Sequence, residues 1–253
     1  MPYVPLRHAG RVHYAERGER RPGVSPALFI HGAGASSAIW NMVLARVART
    51  TRAVAIDLPG HGPSDPAPAL VPPSLASYRD AAGELAGTLC LGPSVLVGHS
   101  LGALVAIEAA LAWPDKVRAL VLVAAAPRLH VDAAFERVLR EDPQAAPTWL
   151  AEHALSPRAK PAVRRGFLAA GLVAPVEVTR ADYAIVAATD VDDRLAQVRC
   201  PMIWIDGADD SLVPAAEGRP GEIVTVADAG HVLPIEAPAA IAEVVNASCV
   251  SAA

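Results

Sequence analysis

Short apolar runs along the chain predict the strands of a central sheet. Each run ends in glycine, proline or polar residues, and together they occupy residues 27–32, 52–60, 93–100, 117–127, 201–207 and 221–230. Helix-like segments lie between most of them, near residues 38–49, 74–90, 101–112 and 236–247. Apolar strands that alternate with helices are typical of a mostly parallel sheet covered by helices on both faces. The pattern therefore predicts an α/β fold.

Two parts of the chain depart from this alternation of strands and helices. The segments "YVPLRH" and "RVHYAER" lie on either side of a turn at Gly10 and predict an antiparallel hairpin at the N-terminus. Residues 128–199 are rich in proline and lack a convincing strand, yet contain helix-like pieces such as "VDAAFERVLRED", "PAVRRGFLAAG" and "EVTRADYAIVAA". Pro161 and Gly171 bracket the middle piece as a helix start and stop. We therefore expect one core, residues 1–127 and 200–253, with a helical cap at 128–199 inserted after the sixth strand.

Composition and charge exclude several classes of protein. The 253 residues are 53% apolar and carry a formal net charge of −4, which argues against a nucleic-acid-binding protein. We see no targeting segment and no membrane span, so we expect a cytoplasmic protein. The three cysteines are far apart, which predicts free thiols. No cluster of histidine and acidic residues has metal-ligand spacing, so neither a metal nor a cofactor is expected.

The stretch "VLVGHSLGALVA", residues 95–106, carries a candidate nucleophile. A buried strand followed at once by a helix forces the middle residue of G-x-S-x-G, Ser100, into a strained turn that exposes its side chain. Gly98 and Gly102 allow the strand and the helix to approach each other. The amide of Leu101 points to the same space, at the positive end of the helix.

A serine hydroxyl reacts only if a base takes its proton, and the base needs a carboxylate to orient it. His231 is the candidate base because it follows the last strand-like run, on a loop that begins with a glycine. The preceding strand ends in "IDGADDSLVP", which offers Asp206, Asp209 and Asp210 as candidate acids. Position alone leaves the choice among the three open.

Five motifs, in this order, resemble those of the α/β-hydrolase family: "HGAG" (31–34), "DLPGHGPSD" (57–65), "GHSLG" (98–102), "GADDSLVP" (207–214) and "GHVLPIEAP" (230–238). The chain is most similar to the serine carboxylesterases of the family. The resemblance implies that Ser100 is the nucleophile, Asp210 the acid and His231 the general base. It also implies an oxyanion hole formed by the backbone N–H groups of Ala33 and Leu101. The activity implied is hydrolysis of a carboxylic ester, lactone or thioester through an acyl-enzyme.

Other activities on the same scaffold differ in what the sequence says of them. Relatives that open epoxides or remove halide have aspartate at the position of Ser100, so neither reaction is expected. A lyase, a cofactor-free oxygenase and a non-catalytic ligand-binding or signalling protein all stay open. Five further polar residues lie in the motifs, and structural roles are expected for them: His31, Asp57, His61, Asp65 and His99.

The cap is expected to enclose part of a small-molecule acyl substrate. Its larger apolar residues could line an acyl pocket or pack onto the core: Phe135, Leu139, Trp149, Phe167, Leu168 and Tyr183. Four basic residues also cluster in the cap: Arg158, Lys160, Arg164 and Arg165. Such a run is usually a solvated face. The alternative is a docking surface for an acyl carrier protein, as in the family's esterases that cleave pimeloyl-carrier-protein methyl ester.

One departure from the family concerns the chain between Val213 and the last strand-like run. Only "PAAEGRPG", residues 214–221, lies there, where relatives often have a full helix. We expect that helix to be reduced to a turn or to be absent.

Overall fold

A single β-sheet lies at the centre of the protein. The computed structural model describes residues 2–7, 9–66, 73–213 and 218–250. The strands within this part of the chain are β1 (Tyr3–Leu6), β2 (Gly10–Arg17), β3 (Ala27–Ile30), β4 (Ala53–Ile56), β5 (Ser94–His99), β6 (Val117–Val123), β7 (Met202–Gly207) and β8 (Glu222–Val226). Their order is β1-β2-β4-β3-β5-β6-β7-β8. β2 pairs antiparallel with β1 and β4, and all other ladders are parallel. The predicted mostly parallel sheet is confirmed.

The order of the strands places a crevice at the centre of the sheet. β3 has β4 on one side and β5 on the other, so the chain crosses over between β4 and β5. At such a switch point the loops after the two neighbouring strands diverge and leave a cleft at the carboxyl edge. Ile30 pairs with Gly98 across the β3–β5 ladder. The loop that begins at His31 therefore lies beside Ser100.

Helices cover both faces of the sheet. They are α1 (Asn41–Val47), α2 (Leu75–Thr88), α3 (Leu101–Ala112), α4 (Ala133–Glu141), α5 (Ala146–His153), α6 (Pro161–Ala170), α7 (Val176–Ala188), α8 (Leu233–Glu236) and α9 (Pro238–Cys249). Successive side chains of a strand point to opposite faces, so Leu28 packs with α2 and α3 while Phe29 packs with α1 and α9. Both faces are thus buried, which explains why these strands are continuous apolar runs.

The segment between β6 and β7 is helical. It contains α4 to α7 and short 3-10 turns, and an isolated antiparallel bridge joins Arg128 to Asp190 near its two ends. We call residues 128–199 the cap segment. The predicted helical insertion after the sixth strand is confirmed. As expected, α6 begins at Pro161 and is followed by Gly171, whereas α5 was not among the predicted pieces.

Three further expectations concern the segment before β8, membrane-spanning helices and the cysteines. Residues 214–217 lie outside the described residues, so the prediction for "PAAEGRPG" can be followed only through residues 218–221, which are a turn residue, an irregular residue and two bend residues. No helix within the described ranges is both long and apolar enough to cross a membrane. Cys90, Cys200 and Cys249 are free thiols, and burial raises the pKa of Cys249 to about 12.

Candidate active site

The turn between β5 and α3 holds Ser100 in a strained conformation. Its φ is 52° and its ψ is −117°, in a region that non-glycine residues rarely adopt. A Cβ atom on Gly98 would lie 2.3 Å from the carbonyl oxygen of Gly102, so a side chain at position 98 would force strand and helix apart. The Ser100 amide donates to the carbonyl of Val123, 3.0 Å away, which ties the turn to the end of β6.

His231 is paired with a buried carboxylate. Its Nδ1 lies 2.9 Å from Oδ2 of Asp210, and the other carboxylate oxygen accepts from the backbone amides of Leu212 and Val213 at 2.9 Å each. Burial by itself raises the pKa of Asp210, but His231 and the two amides outweigh it and hold that pKa below its usual value. The carboxylate is therefore charged, and it fixes the orientation of the imidazole.

The structure separates the three candidate acids. Asp210 is the one that contacts His231. Asp209 instead accepts from Ser156 Oγ at 2.6 Å and pairs with Arg158 at 2.8 Å. Asp206 forms a buried ion pair with Arg219 at the end of β7.

A carboxylate that the sequence interpretation left without a role, that of Glu236, shapes the loop around His231. Its Oε2 accepts from the amides of Gly230 and Val232 at 3.1 Å each, and its Oε1 accepts from the amide of Ser156 at 2.8 Å. Burial raises the pKa of Glu236 despite these amides. Glu236 lies within the motif "GHVLPIEAP", so the motif contained the residue but not its function.

Two buried histidines hold the loops on either side of Ser100. His99 donates from Nε2 to the carbonyl of His231, 2.9 Å away, and burial lowers the pKa of His99 to about 3. His31 lies 2.8 Å through Nδ1 from the carbonyl of Gly32, and its Nε2 accepts from the amide of Leu58 at 3.1 Å. Burial likewise brings the pKa of His31 well below its ordinary value. Both imidazoles are neutral near pH 7.

Two backbone N–H groups beside Ser100 have no acceptor among the described residues. Leu101 is the first residue of α3, and the first amides of a helix have no partner within it. Ala33 belongs to the tight loop after β3, in which the amide of Ala35 donates to the carbonyl of Gly32 at 3.2 Å. Both amides are therefore free to donate to a bound ligand.

Two small cavities meet at Ser100 and His231. The first cavity, which we call the inner lobe, has a volume of about 40 Å³ and is lined by residues of the core and the cap, including the half-buried Ala33 and the buried Ile39 and Phe167. The outer lobe also measures about 40 Å³, and the exposed residues His130 and Asp132 contribute to it. Of the cap side chains named from the sequence, four line one lobe or both: Phe135, Trp149, Phe167 and Tyr183. Leu139 is buried elsewhere, and Leu168 is exposed.

Ser100 and His231 lie close together, since both line the same two lobes, but they are not hydrogen-bonded to each other within the described part of the chain. Such bonds are often loose in free enzymes and tighten with substrate bound. Across the described ranges, no group of three or more His, Cys, Asp or Glu side chains could hold a metal ion.

The fold and the arrangement at the carboxyl edge of the sheet are those of an α/β hydrolase. The model of the alpha/beta hydrolase family matches residues 27–244, and the chain belongs to this family. The resemblance inferred from the five sequence motifs is thereby confirmed. Membership of this family supports the interpretation of the protein as a hydrolase.

Three relatives show how far the similarity extends. Over 212 residues the chain is 31% identical to a pimeloyl-[acyl-carrier protein] methyl ester esterase of Aeromonas hydrophila, a match that covers 78% of this chain and 82% of that protein. It is 41% identical over 115 residues to an uncharacterized protein of Mycobacterium tuberculosis. That match covers 45% of this chain and only 33% of the other protein's length. The enol-lactonase of Burkholderia xenovorans superposes with a TM-score of 0.84 at 21% identity, over 98% of this chain and 99% of that chain. At that identity the likeness concerns the fold alone.

Proposed function

We propose that the protein is a serine hydrolase that cleaves a carboxylic ester, or a related lactone or thioester, through an acyl-enzyme intermediate. The observation that carries the proposal is the strained Ser100 beside a histidine whose Nδ1 faces Asp210. With its proton on Nδ1, His231 keeps the lone pair of Nε2 for the serine hydroxyl. The carboxylate then stabilises the imidazolium that forms during the reaction.

The reaction follows from these roles. Ser100 Oγ attacks the carbonyl carbon while His231 takes the hydroxyl proton, and the carbonyl oxygen becomes an oxyanion. The free amides of Ala33 and Leu101 donate to that oxygen, and losing one such donor typically costs about 3 kcal/mol of transition-state stabilisation. The intermediate collapses, and the leaving alcohol or thiol receives the proton from His231. Water, activated by the same histidine, then hydrolyses the acyl-enzyme and restores Ser100.

The size of the two lobes points to short substituents on the reacting carbonyl. Each lobe has a volume of about 40 Å³. Each lobe is therefore small and suits a short substituent with the cap in this position. We assign the acyl group to the buried inner lobe and the leaving group to the outer lobe, which reaches exposed residues.

A carrier-bound ester is the second candidate substrate. The supporting observation is the 31% identity to an esterase named for the methyl ester of pimeloyl-[acyl-carrier protein]. In the basic cluster of the cap, Arg158 already pairs with Asp209 and Asp228, and Arg164 donates to a backbone carbonyl within the cap. Lys160 and Arg165 are exposed and carry the remaining charge.

Charge reversal at the exposed pair tests the carrier hypothesis. In Lys160→Glu/Arg165→Glu, the apparent KM for a carrier-bound ester should rise several-fold while kcat/KM for a free methyl ester stays the same, because only the carrier meets this surface. Equal effects on both substrates, or none on either, would remove carrier docking at this cluster.

The proposed activity itself is tested with a series of p-nitrophenyl esters, from acetate to octanoate. Wild-type protein should hydrolyse at least the shortest ester, and Ser100→Ala should reduce the rate to that of the buffer. If wild-type protein hydrolyses none of these esters faster than Ser100→Ala does, the result would favour the non-catalytic alternative for substrates of this kind.

A further inference from the structure

A buried carboxylate of the cap, that of Asp182, reaches the loop that carries Ala33. Asp182 lies in α7 and is fully buried. Its Oδ2 accepts from the amide of Gly34 at 2.8 Å and also lies 2.8 Å from His61 Nε2. Its Oδ1 accepts from the hydroxyl of Tyr78 at 2.7 Å. Burial and the neighbouring carboxylate raise the pKa of Tyr78, so its hydroxyl remains a donor.

The cap also binds the same loop residue through its backbone. The carbonyl of Gly34 accepts from the amides of Val173 and Ala174, at 2.9 Å and 3.0 Å. Gly34 has a φ of 65°, and a Cβ atom there would lie 2.4 Å from the side chain of Leu172. Both polar backbone groups of Gly34 are therefore held by the cap. The Ala33 N–H shares its peptide with the carbonyl of Gly32, which His31 Nδ1 and the amide of Ala35 hold, and the cap contacts restrain the peptides on either side of Gly34 that follow it.

The arrangement links the position of the cap to the shape of the loop. A buried carboxylate is tolerated only when donors satisfy its oxygens. Those donors come from three separate parts of the core: the loop after β3, the loop after β4, and α2. If α7 moved away, Asp182 would lose all three, and Gly34 would lose its side-chain acceptor.

We infer that Asp182 is a positioning residue that makes the oxyanion hole depend on a closed cap. This inference rests on the proposed function, since it concerns the Ala33 amide of that mechanism. With the cap open, the loop after β3 keeps its own contacts at Gly32 but loses those at Gly34, so the Ala33 N–H is held less firmly. With the cap closed, Asp182 and the two cap amides orient the loop, so the nucleophile meets a complete site only when the substrate is enclosed.

Kinetics of three variants test the inference. Asp182→Ala should lower kcat by about 10- to 100-fold with KM within about twofold, because a misplaced donor weakens binding of the transition state more than that of the substrate. Asp182→Asn should fall in between, since an amide offers one acceptor oxygen to three donors. Arg180→Ala is the matched control: Arg180 lies in the same helix but bonds the carbonyl of Leu139 within the cap, so kcat should stay within about twofold of wild type. The pH midpoint of kcat/KM should be unchanged in all three, because the pair of His231 and Asp210 is intact.

Hydrogen exchange supplies a readout that does not depend on activity. The peptide containing residues 31–36 should exchange faster in Asp182→Asn than in wild type, and no faster in Arg180→Ala. If wild-type protein hydrolyses no ester, the proposed function fails, and the exchange data alone decide whether Asp182 orders the loop. If Asp182→Ala does not fold, Asp182→Asn carries the test. The inference would be overturned if Asp182→Asn had the same kcat and the same hydrogen exchange in residues 31–36 as the control Arg180→Ala.

Discussion

A single added methyl group at Gly102 should separate the two amides of the proposed oxyanion hole. Gly102 lies in the first turn of α3, and a Cβ atom there would lie 2.3 Å from the carbonyl oxygen of Ile30 and 2.6 Å from that of His31. Real Cβ atoms essentially never approach closer than 3.0 Å, so helix and strand must move apart by at least 0.7 Å. This shift displaces Leu101 relative to the loop that bears Ala33.

The expected cost of Gly102→Ala is both catalytic and structural. Displacement of a donor by nearly 1 Å should lower kcat for p-nitrophenyl acetate by about 10- to 100-fold. Overpacking typically costs about 1–3 kcal/mol, and the better helix propensity of alanine returns up to about 1 kcal/mol of it. Unfolding in urea, followed by tryptophan fluorescence, should therefore show a net loss of up to about 2 kcal/mol in the free energy of unfolding, with kcat measured on the folded protein.

Gly87→Ala is the matched control for this prediction. Gly87 lies in α2, and a Cβ atom there would meet nothing within 4 Å. The substitution should leave kcat unchanged and stabilise the protein by about 0.5–1 kcal/mol. The reasoning would be refuted if Gly102→Ala kept the kcat of wild type and a free energy of unfolding within about 0.5 kcal/mol of it.

Three further predictions concern the acid, the pH dependence of stability and the acyl chain. Asp210→Asn should lower kcat by about 10⁴-fold, because the imidazole loses its orienting carboxylate, whereas Asp209→Asn should stay within a few-fold of wild type; steady-state rates decide, and equal losses would contradict the assignment. His99 and His31 stay neutral in the folded protein, whereas in the unfolded chain both bind protons below about pH 6.5. The free energy of unfolding should therefore fall as the pH drops, by up to about 1.4 kcal/mol per pH unit for each histidine. Urea titrations between pH 6.5 and 4.5 should show this slope, and His99→Gln should reduce it; a flat wild-type curve would disprove it. Acetyl and propionyl esters should be hydrolysed at least about 10-fold faster than octanoyl esters, with Phe167→Ala shifting the preference to longer chains, and a chain-length profile without preference would contradict the inner-lobe assignment.

The sequence predicts the core of the fold because that information is local. Each buried strand is a continuous apolar run, and the G-x-S-x-G turn needs glycine because a Cβ atom on Gly98 would meet the backbone of Gly102, and one on Gly102 would meet that of Ile30. The resemblance of "GADDSLVP" to the family's motif implies Asp210 as the acid, and the structure distinguishes Asp210 from its neighbours by its contact with His231. Asp209 turns to Arg158 on the cap, a pairing between residues 51 positions apart.

Contacts between distant parts of the chain are what the sequence does not reveal. Asp182 meets Gly34 and His61 across 148 and 121 positions, and nothing in the piece "EVTRADYAIVAA" distinguishes it from a solvated helix residue. The helix α5 was missed for a different reason. Its proline near the first turn and its short length, Ala146–His153, resemble a loop until packing against the neighbouring helices buries Leu150.

Labelling with a fluorophosphonate tests the central claim, that Ser100 is an activated nucleophile, without requiring the natural substrate. Intact mass should show one equivalent of adduct on wild-type protein, and peptide mass spectrometry should place it on Ser100. Labelling should be lost in Ser100→Ala and strongly slowed in His231→Ala. Adduct on another residue, or no adduct on folded wild-type protein, would contradict the account.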